Sequence, residues 1–246
     1  MDAGLVAATA AVFAGGVVSG QTGFGSAIVA VPPLLLIFDP PTVVAAAILL
    51  SILSGWVVLP GRWREIEVGT IARLLPWAFL GLVPGVVVIK ALPPAAIKLL
   101  AGVVVVALAA GTAVGWRPPG AHSSAATATA GAASGMLNAS IGMAGPPVAL
   151  LFAAREFDMH AFRTSLAAYF LVIDAAGFGM LVWQGVVGWR EASIALGLVP
   201  GALLGGLLGR RLTRHVSVPA FRRIVLAMLL VTGFVGALNG ALGLVR

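Results

Sequence analysis

Asp174 is the residue with the sharpest chemical meaning in this sequence. It stands between Ile173 and Ala175, near the centre of an apolar run over 162–183. A carboxyl group set that deep among apolar side chains is costly to keep charged. It is therefore a functional candidate by default, suited to taking up and releasing a proton. Two glycine-rich turns offer a second kind of chemistry. One carries Gln21, Thr22, Gly23, Gly25 and Ser26; the other carries Asn138, Ser140, Gly142 and Gly145. Short apolar runs follow both turns. If those runs are helices, each begins at its turn with free N–H groups and the positive end of a dipole, which attract an anion. The glycines let a ligand approach the backbone, and the amide and hydroxyl side chains add neutral donors. Arg163, at the start of the segment that holds Asp174, is placed to draw an anion to the mouth of such a site or to reach lipid headgroups.

Other chemistries fit poorly. Ala133-Ser134-Gly135 faintly resembles a serine-protease turn, but His122, His160 and His215 all fall near segment ends. An aspartyl protease needs two deep carboxylates, and only Asp174 is deep. No His/Glu pair has zinc-ligand spacing on a helix, and there is no cysteine to form a disulfide or a thiolate site. The reading is therefore no enzyme, no metal and no cofactor.

The elements that position these residues belong in a membrane. Of 246 residues, 60% are hydrophobic and 9% charged, against about 25% charged in soluble domains, and mean hydropathy is +1.09. At roughly 20 residues per span the chain suffices for eight to ten spans. The 32 glycines suit close-packed membrane helices. The net charge of +7 lies in short turns between apolar runs, as topology requires, and does not imply nucleic acid. Met1-Asp2 lacks the basic start of a signal peptide, so 3–19 is read as a retained segment.

Apolar segments are expected over 3–19, 27–38, 41–59, 70–89, 95–115, 121–135, 144–154, 162–183, 192–209 and 221–244. The second and seventh are short; a helix of that length covers only about 18 Å of an apolar slab about 30 Å thick. The first and sixth are marginal. Each short pair is expected to form a re-entrant hairpin. Pro32-Pro33 either kinks the second segment or marks its start. With this layout Arg62, Arg64, Arg73, Arg117, Arg155, Arg163, Arg210, Arg211, Arg214, Arg222 and Arg223 fall on one side, and Lys90, Lys98, Arg190 and Arg246 on the other. The excess of basic residues puts the first group in the cytoplasm of a bacterial inner-membrane protein and both termini outside. The cluster from Arg210 to Arg223 reads as an anchor on anionic lipid, and Trp63, Trp116 and Trp189 as interface aromatics.

The chain also repeats itself. Gly15-Gly16-Val17-Val18-Ser19-Gly20 answers Ala130-Gly131-Ala132-Ala133-Ser134-Gly135, and Pro32-Pro33 answers Pro146-Pro147. Trp63-Arg64-Glu65 answers Trp189-Arg190-Glu191, and Gly81-Leu82-Val83-Pro84-Gly85 answers Gly197-Leu198-Val199-Pro200-Gly201. Each half has an odd number of traverses, so the expected fold is an all-α polytopic membrane protein of two inverted-topology repeats, 1–116 and 117–246. Such repeats with paired interrupted segments point to alternating access, with a site where the broken segments meet. A passive anion channel, or a non-transporting subunit of a membrane complex, would share many of these features. Homo-oligomers are compatible with the pattern.

Gly16-x-x-Ser19-Gly20-x-x-Gly23-Phe24-Gly25-Ser26 with Val31-Pro32-Pro33-Leu34 resembles the first signature of the TauE/SafE sulfite exporter family. Gly131-x-x-Ser134-Gly135, Gly142-x-x-Gly145-Pro146 and Arg163-Thr164 resemble its second-half counterpart. The chain departs from the pattern at Ser26-Ala27, where members often carry further glycines. The resemblance implies export of sulfite or a small organosulfonate, coupled to an ion gradient.

Overall fold

A computed structural model describes residues 3–23, 25–114 and 120–212, together with 234, 238 and 241. Among them the chain is helical throughout: α1 (Ala3–Thr22), α2 (Ser26–Leu34), α3 (Pro40–Val58), a 3-10 turn (Trp63–Glu65), α4 (Val68–Ala91), α5 (Pro94–Ala113), α6 (Ser124–Ile141), α7 (Gly145–Ala154), α8 (Met159–Trp183) and α9 (Trp189–Leu212). The expected tenth segment over 221–244, the repeat boundary at 116/117, and Trp116, Arg117, Arg214, His215, Arg222, Arg223 and Arg246 lie outside the described residues. So does Phe24.

Capping chemistry sets several of these ends. Asp158 accepts hydrogen bonds from the N–H groups of His160 and Ala161 at the start of α8 (2.8 and 3.1 Å). Those two backbone donors hold its carboxyl below the usual carboxylate range. Ser123 accepts from the Ala126 N–H at the start of α6, and Gly142 ends that helix in the left-handed region at φ 71°. Asp39 precedes Pro40 and Pro41 in the first turn of α3.

Helices α1, α4, α8 and α9 are each long and apolar enough to cross a membrane. Their outer faces carry large exposed apolar side chains, among them Leu80 (62%) and Val87 (60%) on α4 and Leu204 (62%) on α9. Faces of this kind suit lipid and not water. This is a multi-pass membrane protein.

Two helix pairs are built on glycine. In the α4–α6 pair, a Cβ at Gly135 would land on the Ala78 carbonyl, one at Gly81 on the Ala132 carbonyl, and one at Gly131 would come within 2.7 Å of the Leu74 carbonyl. In the α1–α9 pair, a Cβ at Gly16 would strike the Ala202 carbonyl and one at Gly205 the Phe13 carbonyl. Contacts advance together along both chains, so each pair runs parallel. Backbones in direct contact gain dispersion energy that lipid cannot match. Gly135→Ala is therefore expected to destabilise the protein by about 1–3 kcal/mol, the usual cost of overpacking. Gly197→Ala should be tolerated, because that glycine faces open space. Denaturation midpoints of the two variants in detergent check the contrast.

Several boundaries differ from the sequence expectation. The sixth segment, expected over 121–135, extends as α6 to Ile141. Gly131 and Gly135 do not break it, because both face α4 and the helix satisfies its own backbone in apolar surroundings. Asn138 and Ser140 are thus helical residues and not turn residues. The first segment likewise runs to Thr22, which puts Gln21 and Thr22 in its last turn. Pro32 and Pro33 neither start α2 nor kink its middle. They occupy its C-terminal part, and the helix stops at Leu34. Pro146 and Pro147, their sequence matches, lie in the first turn of α7.

Both long–short pairs bring the chain back to where they began. Arg155, just after α7, donates to the Ala121 carbonyl (2.9 Å) and the Thr127 hydroxyl (2.6 Å) at the start of α6. A Cβ at Gly4, at the start of α1, would lie 3.4 Å from Ile37, just after α2.

Candidate functional site

The turns at the ends of α1 and α6 meet inside the protein. Gly23, Gly25 and Ser26 from the first, and Gly142, Met143 and Gly145 from the second, line one crevice of about 30 Å³. Its side walls come from Ser51, Ser54 and Gly55 on α3 and from Ala167, Phe170 and Asp174 on α8. A cavity needs about 10–15 Å³ of such space to hold one water, so the crevice has room for about two. Gly23 and Gly25 both adopt positive φ, 84° and 91°, which a side chain would strain.

Asp174 is 2% exposed. The Asn138 amide donates to its Oδ1, Ser51 faces it across the crevice, and its Oδ2 has no hydrogen-bond partner among the described residues. No basic side chain lines the crevice among the described residues. Asn138 is fully buried, and its Oδ1 is also without a partner. It fits only because α8 has Gly177 opposite it, where a Cβ would collide with that oxygen. An amide can turn over: its N–H donates to a carboxylate, and its oxygen accepts from a carboxylic acid. The pair can therefore serve Asp174 in either protonation state.

A polar chain fixes the second turn. The Tyr169 hydroxyl donates to Ser134 Oγ (2.8 Å), and Ser134 donates to the Ala144 carbonyl (2.6 Å). Both side chains are fully buried. Ser134 is thus a structural link, and the faint protease resemblance has no base beside it among the described residues; His122 and His160 are exposed. Its sequence counterpart Ser19 bonds to Ser54 instead (3.0 Å).

A second cavity, of about 400 Å³, adjoins the crevice and shares Ser54 with it. Helices α1, α3 and α9 wall it, and Arg62, Arg163 and Arg210 line it without a carboxylate among the described residues. Arg163 lies against Gly23, where a Cβ would come within 2.9 Å of its Nε, and that Nε has no hydrogen-bond partner. Arg62 reaches His160 Nδ1 at 3.3 Å. The arginine-lined cavity can gather an anion, and the crevice can bind one at close range to the free N–H groups at the start of α2.

Of the residues singled out from sequence, Gly23, Gly25, Ser26, Gly142, Gly145 and Asp174 come together in the crevice, and Arg163 stands beside it. Asn138 acts from behind, through Asp174. Ser140 is turned away, fully buried and bonded to the Met136 carbonyl (2.6 Å). Gln21 does not line the crevice, and the side chain of Thr22 lies outside the described residues. The two helix starts are also unequal. Pro146 and Pro147 have no N–H, so the first turn of α7 keeps little beyond the Gly145 donor, whereas α2 offers Ser26, Ala27 and Ile28. Ser51 and Ser54, spaced to share one helix face, are the sequence signal for the opposite wall. Arg62 and Arg210 had no signal beyond their place on the basic side.

Most of the chain matches known proteins. A family profile described as "Sulfite exporter TauE/SafE" matches residues 8–236. A protein of Cupriavidus necator named "Probable sulfite/organosulfonate exporter TauE" is 26% identical over 191 residues, covering 75% of this chain and 74% of that one. No solved structure matches the chain. The chain belongs to the TauE/SafE sulfite exporter family, a family of membrane transporters and not of enzymes.

Proposed function

We propose that this protein is a secondary transporter that exports sulfite or a small organosulfonate by alternating access, with Asp174 carrying the coupling proton. The observation that carries the proposal is the meeting of both glycine turns and Asp174 in one narrow crevice, beside a cavity lined by three arginines. Substrate class and direction rest on the family and on the name of the Cupriavidus protein.

In this reading the anion enters the arginine-lined cavity and passes Arg163. It then settles against Gly23, Gly25 and Ser26, where neutral donors replace its water. Proton uptake at Asp174 removes a negative charge facing the anion, so the two bind and cross together; outward movement then draws on the anion's own outward gradient, and an imposed pH gradient drives the anion toward the more alkaline side. The returning long–short pairs are re-entrant hairpins, and the parallel glycine-built pairs α1–α9 and α4–α6 are equivalent parts of two inverted repeats. That symmetry supports a rocking motion that opens the crevice to either side in turn. The cavity side, with Arg62, Arg163 and Arg210, faces the cytoplasm of a bacterial inner membrane and both termini face outward. A crevice with room for about two waters supports a gated carrier over an open channel.

Flux into proteoliposomes holding only this protein tests the proposal. Saturable movement of sulfite or sulfoacetate, driven by a pH gradient and absent for chloride, is expected. No movement of any anion by folded protein would overturn the stand-alone transporter and favour a subunit that needs a partner.

A further inference from the structure

A second cationic recess lies away from the transport path, at the start of α4 and α6. Arg73 and Trp77 on α4, His122 and Ser124 at the start of α6, and Arg155 after α7 border an open space of about 710 Å³. Thr70 and Thr127 add hydroxyl groups, and no carboxylate lines it among the described residues. Arg155 is half-buried and held in place by its bonds to Ala121 and Thr127. Burial and the nearby charge of Arg73 both oppose the charge it carries. Two guanidiniums facing one space without an acid to share are an unmet demand for an anion.

The surroundings say which kind. Trp77 is 45% exposed, and one turn above it on the same α4 face Leu80 is exposed as well. An indole between a cationic rim and an apolar wall is the arrangement found at the level of lipid headgroups. The rim lies at the same end of the helices as the arginine-lined cavity: the turn before α4 holds Glu65, whose carbonyl accepts from Thr164 beside Arg163.

We propose that this recess is a binding site for the phosphate of an anionic phospholipid, with Arg73 and Arg155 on the phosphate and the acyl chains along Trp77 and Leu80 of α4. The lipid would tie α4 to the α6–α7 pair, and so tie one wall of the fold to the element that carries the second glycine turn.

The test uses the full chain, purified in detergent and stripped of lipid. Thermal midpoints are read with phosphatidylglycerol, with phosphatidylcholine and with inorganic phosphate. Phosphatidylglycerol should raise the midpoint by several degrees, and phosphatidylcholine and phosphate should not. Arg73→Gln, at an exposed position with no hydrogen bond among the described residues, should lose at least half of that rise, and native mass spectrometry should count one fewer retained phosphatidylglycerol. Equal gains in wild type and Arg73→Gln would overturn the site. A gain reproduced by inorganic phosphate would overturn the lipid as its occupant. If Arg73→Gln lowers the lipid-free midpoint, Leu80→Asn, at an exposed position on the proposed acyl-chain wall, supplies the same comparison.

Discussion

Asp174→Asn is expected to abolish accumulation of the substrate anion driven by a pH gradient, while leaving exchange of the anion across the membrane. Asparagine has nearly the same shape, so the contact with Asn138 and the packing around Gly177 persist. What disappears is the exchangeable proton. One pH unit is worth about 1.4 kcal/mol per proton, or a tenfold ratio of substrate across the membrane. With a gradient of two units, wild type should approach a ratio of about a hundred per proton carried, and the variant should settle near one. Counterflow of sulfoacetate in the same vesicles distinguishes an uncoupled protein from an unfolded one. Full gradient-driven accumulation by Asp174→Asn would remove the proton role from this residue. Asn138→Leu is a harsher change, since it strips the buried carboxyl of its donor, and it should lose transport and stability together.

Arg163→Gln should act on affinity instead. The guanidinium lies between the large cavity and the crevice, pressed on Gly23, with an unengaged N–H. A charge-assisted bond to the passing anion is worth about 1.5–3 kcal/mol, or roughly tenfold to a hundredfold in KM. kcat should change little if the contact is made on the way to the crevice. Arg62 and Arg210 remain in the cavity, so residual salt-dependent uptake is expected, and Arg163→Lys should recover part of the loss. Saturation curves at two ionic strengths measure both effects. An unchanged KM would reduce Arg163 to an interfacial residue.

The membrane class, the helical fold and most segment positions follow from hydropathy, since runs of apolar residues separated by charged turns have few other interpretations. Asp174 was legible for the same reason: a lone carboxyl in an apolar run stands out. The glycine turns were legible as turns, but their limits were not. The sixth apolar segment is expected to end at Gly135, yet the helix continues to Ile141, and Gly131 and Gly135 are its contact points for α4. That error displaced Asn138 and Ser140 from helix to turn and hid the reach from Asn138 to Asp174, which spans two distant segments. The matched prolines misled in a similar way, because identical dipeptides sit at opposite ends of α2 and α7. Gly197 matched Gly81 in sequence, but the α1–α9 contact uses Gly201, Gly205 and Gly209 instead. Packing register, and with it the link from Tyr169 through Ser134 to Ala144, depends on which faces meet, and a single sequence does not say.

The central claim is that both glycine turns form one substrate crevice, opened to each side in turn. The absence of cysteine makes this directly measurable. Ser26→Cys places a single thiol at the start of α2, in the crevice wall. Its labelling by a membrane-impermeant maleimide is followed from either face of oriented vesicles, with and without sulfoacetate. Labelling from both faces, slowed on both by sulfoacetate, is the predicted result. Labelling from one face alone, at a rate indifferent to sulfoacetate, would contradict the account.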